Sequence, residues 1–263
     1  MTFDYVAHIR SNSARFVEVL ANLRAPVRVP SCPDWDAGDL LWHLTEVQWF
    51  WGSIVVDRLD SPDLAEEATP ERPGDHDGLL ELFEQASRRL TEGLESIPPE
   101  THVWTWADND QTAGFIRRRQ AHEAMIHRVD AELTAGLPSV LDLALATDGV
   151  DELLRVMLAD LPEWAMFTPE EAVIRIEAVD SGRTWELVLG RFTGTSPNTG
   201  NTYDEPAVEM LDGTETAPTT TITGSAADLD LWLWNRGSED RLQVDGSVEL
   251  FDRFRAVVAQ GIE

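Results

Sequence analysis

The hydrophobic positions in the first half of the chain repeat every three or four residues, as they do along amphipathic helices. This spacing predicts four long helices, over Phe3–Leu23, from the acidic turn Asp34–Asp39 to Leu59, over Leu79–Ile97 and over Ala113–Ala135. Proline-rich and acidic segments separate them, and residues 60–78 and 100–113 are predicted to be loops. Four helices with two long connections indicate a four-helix bundle over residues 1–140, an architecture that often builds metal sites between facing helices.

The pattern changes after Pro138. One helix, over Leu141–Leu158, leads into short runs typical of strands. The strands are predicted over residues 172–179, 184–190, 207–211 and 219–224, with residues 191–206 as a flexible loop. A short strand over residues 242–244 follows, between helices over residues 226–235 and 248–259. This mixture predicts a smaller α+β domain over residues 141–263, and therefore a multidomain chain of the α and α+β classes.

Composition narrows the classes of partner. The 263 residues include 48 acidic and 20 basic residues, a formal net charge of −28, and every basic residue is an arginine. The acids are spread over both halves of the chain, so the surface is expected to repel nucleic acid and anionic lipid. The hydrophobic share of 43%, with ten tryptophans, is sufficient for packed cores. We therefore expect neither a nucleic acid nor a membrane as partner.

Targeting signals and disulfides are not predicted. Cys32 is the single cysteine, so no intrachain disulfide can form. The first residues lack the basic segment and apolar run of a signal peptide, and no apolar run approaches the roughly 18 residues of a membrane span. We expect a cytoplasmic protein, and the sequence leaves its oligomeric state open.

The segment Arg117–Glu132 carries the strongest candidate chemistry. Glu123 and His127 are four residues apart, so on a helix their side chains leave the same face about one turn apart. Together they can bind one divalent ion, and a catalytic metal site then needs about one more protein ligand and an open position. His43, on the predicted inward face of the second helix, is the candidate third ligand. The alternatives are a core role for His43 and a solvated pair of Glu123 and His127.

Other polar residues are weaker candidates. His122 lies about 140° around the helix from His127, so we predict a packing or supporting role for it and not metal binding. Cys32 has no evident neighbouring base, and we predict packing for it and not nucleophilic catalysis. Four arginines of the same helix either line the site entrance or pair with surface acids, and we favour the second for at least two of them: Arg117, Arg118, Arg119 and Arg128.

Long motifs in both halves resemble one family. CPDWDAGDLLWHL, followed about eighty residues later by RRRQAHEAMIHRVDAELTAG, is similar to the mycothiol-dependent maleylpyruvate isomerase family. The resemblance implies a DinB-like bundle whose metal ligands match His43, Glu123 and His127. ITGSAADLDLWLWNR and LQVDGSVELFDRFR resemble the end of that family's C-terminal domain, which has a fold like sterol carrier protein 2. The resemblance spans essentially the whole chain, although residues 141–218 match only in outline.

The resemblance implies a mechanism. A divalent metal, expected to be zinc, would bind the sulfur of mycothiol and lower its pKa, so that thiolate attacks an electrophile. In the isomerase reaction the thiolate adds to the double bond of maleylpyruvate, the adduct rotates, and the thiolate leaves to give fumarylpyruvate. The resemblance also gives Arg236 a catalytic role in binding a substrate carboxylate, although Asn235 stands where the family usually has glycine.

Several alternatives stay open at this point. Two histidines and a glutamate suit several metals, so nickel and iron remain possible beside zinc. The motifs specify a metal and not a substrate, so a mycothiol S-transferase acting on another electrophile is a rival to the isomerase. A third hypothesis is a non-enzymatic protein that binds a small molecule in its C-terminal domain and has a structural metal site. The net charge of −28 would repel a thiolate and a dicarboxylate over long range.

Overall fold

The computed structural model describes residues 3–24, 26–211, 213 and 217–260. The chain divides into two compact units, Met1–Ser139 and Val140–Glu263. The first is mainly helical and includes a small hairpin, and the second combines helices with a five-stranded sheet. This order, an α part followed by an α+β part, confirms the predicted fold class. In the described part of the chain, no helix has the length and apolar character needed to cross a membrane.

Four long helices form the first unit. They are α1 (Tyr5–Leu20), α2 (Ala37–Val56), α4 (His76–Glu95) and α5 (Ala113–Thr134), and a short α3 (Pro62–Glu67) follows α2. Their buried faces share a core that includes Phe16, Leu40, Leu44 and Phe83, each at most 1% exposed. The predicted helices are therefore present with ends shifted by a few residues. The prediction of a loop over residues 60–78 was wrong at α3, where Ser61 caps a single short helix.

Polar side chains at the helix starts set where α2 and α5 begin. Asp36 accepts hydrogen bonds from the backbone N–H groups of Gly38 and Asp39, while the Asp39 carboxylate accepts from the N–H of Asp36. This reciprocal arrangement satisfies donors that the first helical turn leaves unpaired. Thr112 caps α5 with a single bond, by accepting from the N–H of Phe115. These caps fix the first turns of the two helices that carry the candidate ligands.

A small antiparallel hairpin precedes α2. It consists of β1 (Arg28–Val29) and β2 (Cys32–Asp36), and it was not predicted from the sequence. Three prolines fall in or beside this segment, and proline cannot donate a ladder hydrogen bond. The strands are correspondingly short and irregular, with a register shift between Arg28 and Val29.

The second unit begins with α6 (Leu143–Glu152), which continues into a π-helical turn (Leu153–Leu158). The strands are β3 (Met166–Ala178), β4 (Arg183–Thr195), β5 (Thr202–Met210), β6 (Thr220–Gly224) and β7 (Gln243–Gly246), in the sheet order β5-β4-β3-β6-β7. β3 and β6 are parallel and the other neighbours are antiparallel. The remaining helices are α7 (Ala226–Leu233), a 3-10 turn (Glu239–Arg241) and α8 (Val248–Val258).

The prediction of a flexible loop over residues 191–206 was wrong. Most of this segment extends β4 and β5 as a paired hairpin, with Arg191 opposite Pro206 and Gly194 opposite Tyr203. Its side chains do not alternate between apolar and polar, because the extension has no deeply buried face. Ring contacts stabilise it instead: the Phe192 and Tyr203 rings stack with centroids 5.9 Å apart.

Candidate metal centre

Two helices of the first unit bring the three predicted ligands together. His43 lies in the second turn of α2, and Glu123 and His127 lie one turn apart in the middle of α5. His127 Nε2 is 3.0 Å from Glu123 Oε1, and His43 Nε2 is 3.6 Å from the same oxygen. One ligand atom from each residue lies within 4.8 Å of the other two. The i,i+4 spacing on α5 therefore brings Glu123 and His127 together, and the packing of α2 on α5 adds His43.

His43 is less buried than its sequence position predicts. Its side chain is 33% exposed, whereas those of Glu123 and His127 are 16% and 7% exposed. The buried face of α2 is centred on Leu40 and Leu44, and His43 lies at its edge. The prediction of an inward position was therefore wrong in detail, because His43 faces His127 and Trp35 at the border of the core. This exposure leaves one side of the cluster accessible to a small molecule.

The donor set and its spacing fit a divalent ion. Ligand atoms at the usual distances of 2.0–2.2 Å from a tetrahedral zinc lie about 3.4 Å from one another. The two measured separations from Glu123 Oε1, 3.0 and 3.6 Å, bracket that value. Two imidazoles and one carboxylate also form the three-ligand set of catalytic zinc sites, which keep one position for water or substrate. His43, Glu123 and His127 thus have the donor chemistry for a divalent metal, and the spacing of both histidines from Glu123 Oε1 suits one.

The ring of His127 is held from its other side by Asp130. The His127 Nδ1 atom is 3.0 Å from Asp130 Oδ2, and Asp130 is completely buried. The second oxygen of Asp130 accepts a hydrogen bond from the Ser31 hydroxyl, which lies between the two strands of the hairpin. A carboxylate on Nδ1 fixes the proton there and leaves Nε2 with its lone pair for a metal.

The β1–β2 hairpin contacts His43 directly and is connected to His127 through Asp130. Ser31 reaches His127 through Asp130, and the Trp35 ring packs against His43 with centroids 4.7 Å apart. The two imidazole rings meet edge to face, also with centroids 4.7 Å apart. The hairpin therefore restricts the orientation of each histidine, a function that the sequence did not reveal.

Arg119 balances the charge of Glu123. Its guanidinium, which is almost fully buried, donates a hydrogen bond of 2.8 Å to Glu123 Oε2 and leaves Oε1 directed at the two histidines. Burial would raise the pKa of Glu123, but His127, His43 and the positive charge of Arg119 outweigh it and hold that pKa well below its usual range. Glu123 is therefore a carboxylate at neutral pH.

Without a bound metal, His127 would be a strong base for an imidazole. Burial favours its neutral form, yet hydrogen bonds and the negative charges of Asp130 and Glu123 raise its pKa from 6.5 to about 9. The imidazole between these two carboxylates consequently carries a proton at neutral pH. A metal at the same Nε2 would have to replace that proton.

The other candidate residues of the first unit, which are the arginines of α5, His122 and Cys32, take part in contacts within the fold. Among the four arginines, Arg119 bonds to Glu123, Arg128 forms a buried pair with Glu132, and Arg117 donates to the backbone carbonyls of Leu94 and Ile97. The preference for surface acids was therefore wrong for these three. His122 is completely buried in α5, as a packing role requires, and Cys32 is half-buried beside the first unit's core.

Arg236 lies in the second unit, just after α7. Its Nη1 donates a 2.7 Å hydrogen bond to the carbonyl oxygen of Trp234, and the residue is half-buried. Asn235 has a φ of 58°, the left-handed conformation that glycine adopts easily and asparagine tolerates better than most residues. The asparagine therefore preserves a backbone turn suited to glycine before Arg236. Its catalytic role remains a prediction.

The comparisons with known proteins agree over nearly the whole chain. A family model described as the mycothiol maleylpyruvate isomerase N-terminal domain matches residues 6–132, and one described as the MDMPI C-terminal domain matches residues 144–253. The crystal structure of the mycothiol-dependent maleylpyruvate isomerase is similar, with a TM-score of 0.59, 14% identity and 93% of each chain covered. A histidine-to-alanine mutant of that isomerase gives a TM-score of 0.57 with the same identity and coverage.

Two further comparisons add little. The structure of UbiJ-SCP2, a ubiquinone synthesis protein, covers 44% of this chain at 19% identity with a TM-score of 0.27, too low for a comparison of folds. No curated protein matches the sequence. At 14% identity, the similar isomerase structures establish the fold alone.

Proposed function

This chain belongs to the mycothiol-dependent maleylpyruvate isomerase family, and we propose that it is a metal-dependent enzyme that activates mycothiol for attack on a small electrophile. The observation that carries the proposal is the convergence of His43, Glu123 and His127 within 4.8 Å. The metal we propose is zinc. The substrate we propose is maleylpyruvate, which the similar crystallised enzymes are named for.

The proposed chemistry needs a thiolate at neutral pH. A divalent ion held by the three side chains supplies a positive charge that lowers the pKa of a thiol bound beside it. Asp130 holds His127 in the required tautomer, and Arg119 keeps Glu123 ionised and oriented. His43, with one third of its side chain exposed, marks the side from which the thiol enters.

The reaction conserves the thiol. The sulfur of mycothiol forms a bond to one carbon of the cis double bond, and the electron pair of that double bond moves into the conjugated carbonyl system. Rotation about the resulting single bond follows, and the electron pair returns as the carbon–sulfur bond breaks. Thiolate and the trans isomer are released, so no thiol is consumed. In a transferase the carbon–sulfur bond would persist, and one thiol would be consumed for each electrophile.

Arg236 is the proposed partner of a substrate carboxylate. A guanidinium presents a planar fork of N–H donors that matches the two oxygens of a carboxylate. The left-handed turn at Asn235 and the hydrogen bond to Trp234 restrict the direction in which this arginine leaves the backbone. We assign it the role of binding a carboxylate of maleylpyruvate.

The test combines purified protein, zinc, mycothiol and maleylpyruvate. We expect formation of fumarylpyruvate that requires both zinc and mycothiol, with no net loss of thiol. His127→Ala should abolish it, and Arg236→Gln should raise the KM for maleylpyruvate, whereas Arg241→Gln, an exposed arginine of the same unit, should not. Product formed without mycothiol would contradict the cofactor assignment. Consumption of one thiol per substrate would assign the protein to the transferases instead.

A further inference from the structure

A groove lies between α2 and α4 at the end of the first unit where both helices terminate. Its volume is about 510 Å³, within the range of roughly 300–1,000 Å³ typical of small-molecule sites. Val55, Val56 and Ile97 contribute apolar lining, and Arg58 and Arg88 contribute charged lining. Val55 follows His43 by twelve residues on α2, which is about 18 Å along the helix. The groove is therefore separate from the candidate metal centre.

The charge of the groove is opposite to that of the protein. The described lining includes three arginines and one acid, Glu92, in a chain whose formal net charge is −28. Arg89 is already engaged, because its guanidinium pairs with Asp57 and lies 5.5 Å from the centre of the Trp49 ring. A local excess of positive charge on an acidic surface concentrates anions at that point.

Arg58 and Arg88 have no partner within the described part of the chain. Neither side chain forms a hydrogen bond or an ion pair there, although the protein has 48 acidic residues. Most other arginines bind a carboxylate or a backbone carbonyl, as Arg72 does with Asp39. Two unpaired guanidinium groups on one groove therefore leave donors directed at solvent where a ligand could bind.

The backbone at Arg58 supports the same interpretation. Arg58 directly follows the C-cap of α2 and has a φ of 57°, in the left-handed region. Glycine is favoured at this position of a helix end because its backbone adopts such angles without steric cost. The arginine brings a side chain that lines the groove and also a smaller cavity of about 190 Å³ beside Trp104. The steric cost of the left-handed backbone at Arg58 is not offset by an ion pair of its side chain within the described residues.

The geometry points to a second binding site, in which Arg58 and Arg88 bind the carboxylate or phosphate group of an amphipathic organic anion. Its apolar part would lie on Val55, Val56 and Ile97. Arginine suits both headgroups because its N–H donors match the oxygens of carboxylate and phosphate. This site is independent of the proposed metal chemistry, since none of these residues belongs to the candidate metal centre.

The experiment uses the full chain and three probes of equal chain length: octanoate, octyl phosphate and uncharged octanol. Calorimetry measures affinity, and amide chemical shifts locate the site. We expect octanoate or octyl phosphate to shift the amide signals of Val56 and Gly93, with weaker binding of octanol. The double variant Arg58→Gln/Arg88→Gln should weaken anion binding about tenfold or more, as the loss of charged hydrogen bonds does. Arg241→Gln is the matched control.

The outcomes separate the possibilities. Tighter binding of octyl phosphate than of octanoate assigns the site to phosphate esters, and the reverse order assigns it to carboxylates. Four results would each overturn the proposal. The wild type and the double variant could bind the anions equally well, or octanol could bind as tightly as the anions. The shifts could be confined to other residues, or no probe could bind. The double variant should keep the helical circular dichroism and the thermal unfolding temperature of the wild type, which shows that its fold is intact.

Discussion

His127 Nδ1 and Asp130 Oδ2 lie 3.0 Å apart on one face of α5, and both residues are buried. This contact connects the most buried ligand of the candidate metal centre to a fixed negative charge. Ser31 holds the other oxygen of Asp130, so the carboxylate cannot turn away. The contact therefore determines which nitrogen of His127 faces Glu123 and His43.

Asp130→Asn should weaken metal binding. The amide keeps the size of the carboxylate but lacks its charge, so it no longer raises the basicity of the imidazole or fixes the proton on Nδ1. Loss of such a partner typically lowers metal affinity about 10–100-fold. Competition with a chelator of known zinc affinity measures the change. Asp245→Asn, at an exposed acid of the second unit, should bind zinc like the wild type, and equal affinity in both variants would exclude the role of Asp130.

Ser31→Ala should have a smaller effect in the same direction. The variant removes one hydrogen bond to Asp130 and leaves the contact between Asp130 and His127 in place. A hydrogen bond to a charged group is worth about 1.5–3 kcal/mol, and only part of that reaches the metal, so we expect a several-fold loss of zinc affinity. Ser11→Ala, which removes a bond to the His8 carbonyl, is the control. A larger loss of zinc affinity in Ser31→Ala than in Asp130→Asn would contradict an effect of Ser31 that acts through Asp130.

Metal uptake should release a proton at neutral pH. The pKa of His127 is raised to about 9 in the metal-free protein, whereas Glu123 is already ionised. Apparent zinc affinity should therefore rise with pH until about 9 and level off above it. Calorimetry in buffers of different ionisation enthalpy counts the released proton. The same heat in every buffer at pH 7 would show that His127 is neutral before metal binds.

The same pKa sets a trend in the stability of the metal-free protein. A histidine whose folded pKa lies above its ordinary value stabilises the fold fully below about 6.5, and this contribution disappears as pH rises through about 9. The difference in unfolding free energy between wild type and His127→Gln should accordingly shrink over that interval. Chemical denaturation of zinc-free samples at several pH values measures it, and a difference that grows with pH would contradict the charge assignment.

Gly190→Ala should destabilise the second unit. A Cβ at this position of β4 would lie 2.4 Å from the backbone oxygen of Thr168 and 2.5 Å from the Phe167 ring. Forced contacts of this kind cost about 1–3 kcal/mol, and the upper part of that range is expected where backbone must move. Gly74→Ala meets nothing within 4 Å and should leave stability nearly unchanged. Calorimetric unfolding compares the two variants, and equal unfolding temperatures would contradict the close pairing of β3 and β4.

The sequence predicts regular helices better than strands in this chain. α5 begins at Ala113 as its pattern indicates, because an apolar repeat and a capping threonine fall together. The hairpin at Arg28–Asp36 escapes prediction because its strands are short and contain prolines. Residues 191–206 escape because strand pairing there depends on the partner strand and not on an alternating pattern.

The residues of the candidate site also divide into those that the sequence predicts and those that it does not. Glu123 and His127 follow from helical spacing, and Asp130, three residues beyond His127, could have been found by the same rule. His43 was added from the inward face predicted for the second helix, and the family resemblance supported it, since no local spacing connects α2 with α5. Ser31 and Trp35 could not be predicted, because their contacts depend on how the hairpin packs against the two helices. Ligands carried on one helix are thus visible in sequence, whereas their supports come from tertiary structure.

Zinc binding measured by equilibrium dialysis is the most direct test of the central claim. We predict one tightly bound zinc per chain in the wild type. His43→Ala, Glu123→Gln and His127→Ala should each lose it while keeping their helical circular dichroism, and His102→Ala, at an exposed histidine outside the cluster, should retain it. Absence of zinc binding in the wild type, or binding that all three cluster variants retain, would contradict the assignment of His43, Glu123 and His127 as the metal site.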